Sequence, residues 1–163
     1  MVIGMTLLET RKKYNISQVE VAALLGIPVR TYIRYERDNK YGSNLKRQMM
    51  MQSIEDKYAI TEEKGLLTIE FIKKELTALF DTRYKEAVEF CYLFGSYAKG
   101  YAKEKSDVDL CVATNLKGLD FVGLSEDIRN LLHKKIDLIR FNTLNDNLEL
   151  INEIMKDGIK IYG

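Results

Sequence analysis

After Tyr84 the hydrophobic pattern of this 163-residue chain changes period, and that change excludes both a single helical bundle and a single sheet. Just upstream, Ile69, Ile72, Leu76 and Leu79 recur at helical spacing and predict a helix over 68–80. Downstream, Val88 to Phe94 is a short aliphatic and aromatic run of strand type. Asp107 to Ala113 is a second such run and Lys135 to Phe141 a third. Residues 119–133 and 145–157 read as helices, the latter closed by Gly158, with 158–162 as a short terminal strand. The order β-α-β-α-β-α-β describes an α/β module with a small mixed sheet, of about eighty residues.

The first 65 residues read differently, as a set of short helices. Leu7, Leu8 and Arg11 to Tyr14 form one, ending near Asn15. Ser17 and Glu20 have the spacing of a capping box, in which each side chain satisfies a free backbone N–H. Gly26 breaks that helix, and Pro28, with its fixed φ, opens the next, through Tyr32 and Tyr35 to about Asn39. After a turn at Tyr41-Gly42-Ser43, residues 44–58 form a further helix, with Leu45, Met49, Ile54 and Tyr58 as expected core positions. Residues 59–65 read as a connector. The expected organisation is therefore an all-α domain over 1–65 and an α/β domain over 66–163, an α+β chain as a whole.

Charge follows the same division. Residues 1–47 hold nine Lys/Arg against four Asp/Glu, whereas 48–163 hold sixteen against twenty. A basic segment joined to a mildly acidic body implies two modules with different partners. Hydrophobic residues at 46% and charged residues at 30% give a globular composition. No run approaches the ~18 apolar residues of a membrane span and no signal-peptide pattern opens the chain, so a cytoplasmic protein without membrane partners is expected. The two cysteines, Cys91 and Cys111, lie in apolar runs without metal-type spacing and read as buried reduced thiols. His133 is the only histidine, so chemistry must come from carboxylates, hydroxyls and backbone.

Those groups gather in one stretch, from Leu93 to Leu110. A strand ends at Phe94 and is followed by Gly95, which lets backbone approach a phosphate, and Ser96, whose hydroxyl sits at an expected helix start where free N–H groups favour an anion. Lys99 and Lys103 add positive charge. Asp107 and Asp109 follow, two apart on a strand, so both carboxylates share a face about 6.6 Å apart. Hard oxygen ligands so placed suit Mg²⁺, two ions in the common arrangement, which in turn hold substrate phosphates. Asp137, set among Ile136, Leu138 and Ile139, is the third acid. If buried there it needs a partner, and a metal shared with Asp107 and Asp109 supplies one. Gly-Ser alone, or Asp-x-Asp alone, is a weak signal, and Asp137 alone reads equally as an edge-strand charge. The ordered combination is specific.

The stretch resembles the G-S-x-A-x-G…S-D-x-D-L motif of the minimal nucleotidyltransferase family, a branch of the polymerase-beta-like superfamily. Gly95, Ser96, Ala98, Gly100, Ser106, Asp107, Asp109 and Leu110 all match, and the likeness extends over about residues 84–163. Lys99 stands where family members usually carry Arg, keeping the charge but losing the bidentate fork. The resemblance implies a Mg²⁺-dependent nucleotidyltransferase with ATP as substrate, with Asp107, Asp109 and Asp137 catalytic and metal-binding, and with Gly95, Ser96, Lys99 and Lys103 on the nucleotide. The family includes antitoxins paired with HEPN-domain toxins, which implies transfer of AMP from ATP to a tyrosine hydroxyl of such a partner.

Residues 17–36 are similar to the helix-turn-helix of Xre/Cro-type repressors, whose second helix enters the major groove. The resemblance places Val29, Arg30, Ile33 and Arg34 toward DNA, with Gln18, Thr31 and Lys40 on the backbone, and Ala22, Leu25, Ile27, Tyr32 and Tyr35 in the core. It implies autoregulation at operator DNA, as a homodimer or as a hetero-oligomer with the toxin. Two other readings stand beside this one. The first is a small-molecule nucleotidyltransferase, of the kind that modifies aminoglycosides. The second is a DNA-binding regulator with a non-catalytic nucleotidyltransferase fold.

Overall fold

Local sequence starts most of the helices. Thr6 with Glu9, and Ser17 with Glu20, each form a reciprocal capping box. Ser43, Thr68 and Asn147 each accept an N–H from the first turn of the helix that follows them. The structure, a computed structural model, describes residues 5–163. It divides into two compact units, with the boundary in the chain between Ala59 and Ile60.

The first unit contains α1 (Leu7–Lys13), α2 (Gln18–Leu25), α3 (Val29–Arg37) and α4 (Asn44–Tyr58). The turn between α2 and α3 rests on Gly26 at φ +64, and Pro28 is the N-cap of α3. Leu7, Ile16, Val21, Ala22, Tyr32, Tyr35 and Ile54 form its core, with Leu25, Ile27, Val29 and Tyr58 packed at the margin. An ion pair crosses this core: Arg11 reaches Glu36 at 2.7 Å, and the Glu36 side chain is 3% exposed. Burial pushes Glu36 up, but the bonds from Arg11 and Gln18 outweigh it and hold the carboxyl below its usual range.

Leu45 and Met49, expected in the core, are exposed at 66% and 61%. The buried stripe of α4 runs through Arg47 and Ile54. At about 100° per residue, positions 45 and 49 fall on the opposite side. Arg47 takes the inner position because its guanidinium donates to the carbonyls of Asp38 and Tyr41, which closes the turn after α3.

The second unit begins with a tight turn, Thr61 bridging to Lys64, then α5 (Ile69–Leu79), which runs on through one wider π-type turn at Phe80–Tyr84. Its sheet has the order β3-β2-β1-β4, from β1 (Val88–Phe94), β2 (Val108–Thr114), β3 (Ile136–Arg140) and β4 (Ile159–Tyr162). The short helix α6 (Gly95–Ala98) follows β1, α7 (Gly118–Leu132) crosses from β2 to the parallel β3, and α8 (Leu148–Asp157) leads into β4. β1 is antiparallel to both β2 and β4. The result is a helical unit followed by an α/β unit with a mixed four-stranded sheet.

The two faces of the sheet bury different things. Cys91, Leu93, Val108, Leu110 and Val112 face α5 and α7, packing with Ile72, Leu76, Leu124 and Ile128. Phe94 and Cys111 face the other way, with Leu144 and Ile154. Alternation along β2 therefore sends Asp109, like Cys111, to the α8 side. Both cysteines are free and buried, on opposite faces, and burial pushes their thiols up, Cys111 to about 11. No helix among the described residues is long and apolar enough to cross a membrane.

Candidate active site

β1 ends at Phe94, which pairs with Asp109 of β2 across the antiparallel ladder. At Gly95 the chain turns at φ +66, and an added Cβ would overlap Asp109 Oδ2 and stand 2.9 Å from its Cγ. The Asp109 carboxylate thus occupies the notch that the missing Gly95 side chain leaves. The Ser96 backbone N–H is hydrogen-bonded to the same carboxylate. The sequence assigns this Gly-Ser pair to phosphate alone, whereas the structure shows that it also seats Asp109.

On the other side of β2, the parallel register places Asp137 directly opposite Asp109. Burial pushes the Asp109 carboxyl up to about 6, with Asp137, Asp107 and Glu153 adding to the shift in that order, against the opposing bond from Ser96 N–H. Three carboxylates therefore act on Asp109 near the start of β2. Asp107 lies one residue before the strand begins and is paired with Lys135 at 3.3 Å.

Asp137 is exposed, as an edge-strand charge is, and not buried among its apolar neighbours. β3 is the edge of the sheet, so an acid on it stays hydrated without a partner. Lys99 is paired with Glu153 of α8 at 2.5 Å, and Lys103 is exposed. Glu153 and Lys135 are the site neighbours that sequence reasoning missed. Their pairings span 54 and 28 residues and follow only from the placement of α8 and the β2–β3 register.

Among the described residues, no group of three or more His, Cys, Asp or Glu side chains stands ready to hold a metal ion. The donor chemistry nevertheless suits Mg²⁺: Asp107, Asp109 and Asp137 offer hard oxygens, and the proton that Asp109 retains to about pH 6 reflects burial first and, added to it, the negative charge of its neighbours, which a cation relieves. Bound there, Mg²⁺ would neutralise substrate phosphate charge. Without it, the arrangement already provides a carboxyl whose proton affinity lies near neutrality, as proton transfer requires.

In the helical unit, Arg30 and Arg34 of α3 are exposed, and Arg34 lies over the Tyr41 ring at 4.4 Å. Thr31 and Ile33 are partly exposed, Val29 packs against the core, and Gln18 is held by Glu36 at 3.2 Å.

Comparison with known proteins agrees with this division. Residues 74–163 match the polymerase beta nucleotidyltransferase model, and residues 7–47 match a helix-turn-helix model. The protein adenylyltransferase MntA of Thermococcus cleftensis is 36% identical over 87 residues, spanning 52% of this chain and 88% of that protein. A toxin–antitoxin crystal structure with AMP-PNP aligns at a TM-score of 0.49 and 22% identity, over 56% of this chain and 73% of the other. A tri-AMPylated HEPN toxin of Shewanella oneidensis in complex with its MNT antitoxin aligns at a TM-score of 0.45 and 19% identity, over 58% and 71%.

Proposed function

The chain belongs to the polymerase beta nucleotidyltransferase family, and from that premise we propose that it is an antitoxin that transfers AMP from ATP to a tyrosine hydroxyl of a partner HEPN toxin. The observation that carries the reading is the interlock of Gly95, Ser96 and Asp109 at the end of β1, inside the matched region and surrounded by Asp107 and Asp137. The similarity to a protein adenylyltransferase supports a protein acceptor.

In this mechanism the ATP phosphates lie against Gly95 and Ser96, with Lys99 and Lys103 supplying positive charge. The tyrosine oxygen attacks the α-phosphorus, the bond to the bridging oxygen of pyrophosphate breaks, and the hydroxyl proton passes to a carboxylate of the cluster. Asp107, Asp109 and Asp137 are the residues that would hold Mg²⁺. Lys99 must exchange Glu153 for phosphate as the nucleotide enters.

Incubation with labelled ATP, Mg²⁺ and a HEPN protein encoded beside this gene tests the reading. Label on a tyrosine of that protein, reduced at least about a hundredfold in Asp107→Ala, is the expected result. Label that persists in the variant, or no label on the partner, overturns it.

The helical unit carries the second half of the proposal, binding to operator DNA of the same genes through α3. The helix-turn-helix match, the basic composition of residues 1–47 and the exposure of Arg30 support it. Arg30→Ala is expected to weaken operator binding by about 1–3 kcal/mol, read as a shift in a titration at fixed salt, with the transfer rate unchanged. Unaltered affinity would remove Arg30 from the interface.

A further inference from the structure

Lys134 is the one charged residue with no solvent exposure among the described residues. It follows α7 and precedes β3. Its ammonium donates to two backbone carbonyls, those of Lys64 at 3.1 Å and of Glu104. Burial pulls its pKa down, while the charges of Glu104, Glu63 and Glu62 hold it up.

Each carbonyl belongs to a turn. Lys64 closes the Thr61–Lys64 turn, where its oxygen also accepts the Thr61 N–H at 2.9 Å. Glu104 lies in the turn from Lys103 to Ser106, closed at both ends: Ser106 N–H donates to the Lys103 carbonyl, and Lys103 N–H to the Ser106 hydroxyl, each at 2.9 Å. The two turns are also tied to each other. Gly65 N–H reaches the Glu104 carboxylate at 3.4 Å, and Lys105 pairs with Glu63 at 2.7 Å.

The residue after this second turn is Asp107. It is held by the neighbour of Lys134: the Lys135 ammonium pairs with Asp107, and the Lys135 carbonyl accepts the Val108 N–H at 2.9 Å. Two consecutive lysines thus grip the segment that leads into β2. One does so from the core through backbone carbonyls, the other from the surface through a carboxylate. Because the Lys135 pair is exposed, it is weak and exchangeable, and the buried partner is the one able to fix the segment.

We propose that Lys134 is a positioning residue for the transfer reaction, holding the turn at 103–106 so that Asp107 and Asp109 enter β2 in their working orientation. It touches neither substrate nor the acids themselves. The proposal rests on the nucleotidyltransferase reading only for its kinetic arm.

The test uses the full chain with Lys134→Met, which keeps the bulk of the stem and removes the donors, and Ser106→Ala, which loosens the same turn without altering a buried charge. Amide hydrogen exchange and transfer kinetics are read together. In Lys134→Met, exchange at 103–108 is expected to accelerate at least about tenfold, with amides in β1 and β4 within about twofold of wild type. The kcat is expected to fall about ten- to a hundredfold, with the KM for ATP within about threefold.

A purely structural role would speed exchange throughout the second unit instead, and that result overturns the proposal, as does an unchanged kcat in the folded variant. If Lys134→Met fails to fold, Ser106→Ala decides: faster exchange confined to 103–108 with a lowered kcat supports the proposal, and wild-type values for either sink it. If the wild-type protein transfers nothing, the reading of the site fails on its own and the exchange experiment alone decides whether Lys134 fixes the turn.

Discussion

Gly95→Ala is expected to reduce transfer at least about a hundredfold and to destabilise the second unit by about 2–4 kcal/mol. Two independent penalties combine at this position. The backbone has φ +66, which an L-residue with a Cβ adopts at a cost of about 1–2 kcal/mol. The new methyl group also enters the space of the Asp109 carboxylate, which cannot retreat because it is seated on Ser96 N–H and lies on a central strand. One of the two must move, and a displacement of about an ångström at a reacting group has consequences of this size. Thermal melting and single-turnover transfer measure the two effects separately. Activity within about threefold of wild type would show that the notch is not part of the working site.

Asp109→Asn is expected to do the opposite to stability while abolishing function. The folded carboxyl retains its proton up to about pH 6, whereas the usual value is 3.8. Between those values the folded state binds more protons than the unfolded state, so the wild-type protein loses stability as pH rises through this window. Above pH 6 the full penalty of holding the charge is present. The amide carries no charge and still accepts the Ser96 N–H. In chelator-treated protein at pH 7.5 the variant should therefore be more stable by about 1–2 kcal/mol, allowing for the partial solvation of the site. The difference should vanish below about pH 4, where both folded and unfolded wild-type carboxyls are protonated. Transfer should fall about 10²–10⁴-fold. Paired pH–melting curves check the first statement; equal slopes for the two proteins between pH 4 and 6 would contradict it.

The strands and most helices were legible because their signals are local. The runs at Val88–Phe94 and Val108–Thr114 are short, apolar and flanked by Gly or Asp, and Ser17 with Glu20 marks a helix start that the structure keeps. The inner face of α4 was not legible. Its Met-rich middle, Met49 to Met51, has apolar residues around most of the helix, so periodicity cannot select a side, and Arg47 takes an inner position that composition assigns to solvent. The wider turn at Phe80–Tyr84 has no marker residue.

For the site, Gly95, Ser96, Asp107 and Asp109 stand out through their order along the chain and the family motif that order resembles. The environment of Asp137 does not, because the same apolar neighbours occur on central and edge strands, and only the strand order separates the two. The contact between Gly95 and Asp109 depends on the β1–β2 register, and the roles of Glu153, Lys135 and Lys134 depend on how segments far apart in the chain are brought together.

The grip of Lys134 on the Lys64 carbonyl also determines where the chain can be divided. Composition places the break after the connector, at residue 66, but a catalytic fragment begun there would discard an acceptor that a fully buried ammonium uses, along with the Glu63 partner of Lys105. The fragment would carry an ammonium in the core with half its partners missing, a fault with no counterpart in the intact protein. The stretch that reads as a tether between two modules is, in physical terms, the first structural piece of the second, and any transplant of the transferase onto another N-terminal unit has to take it along.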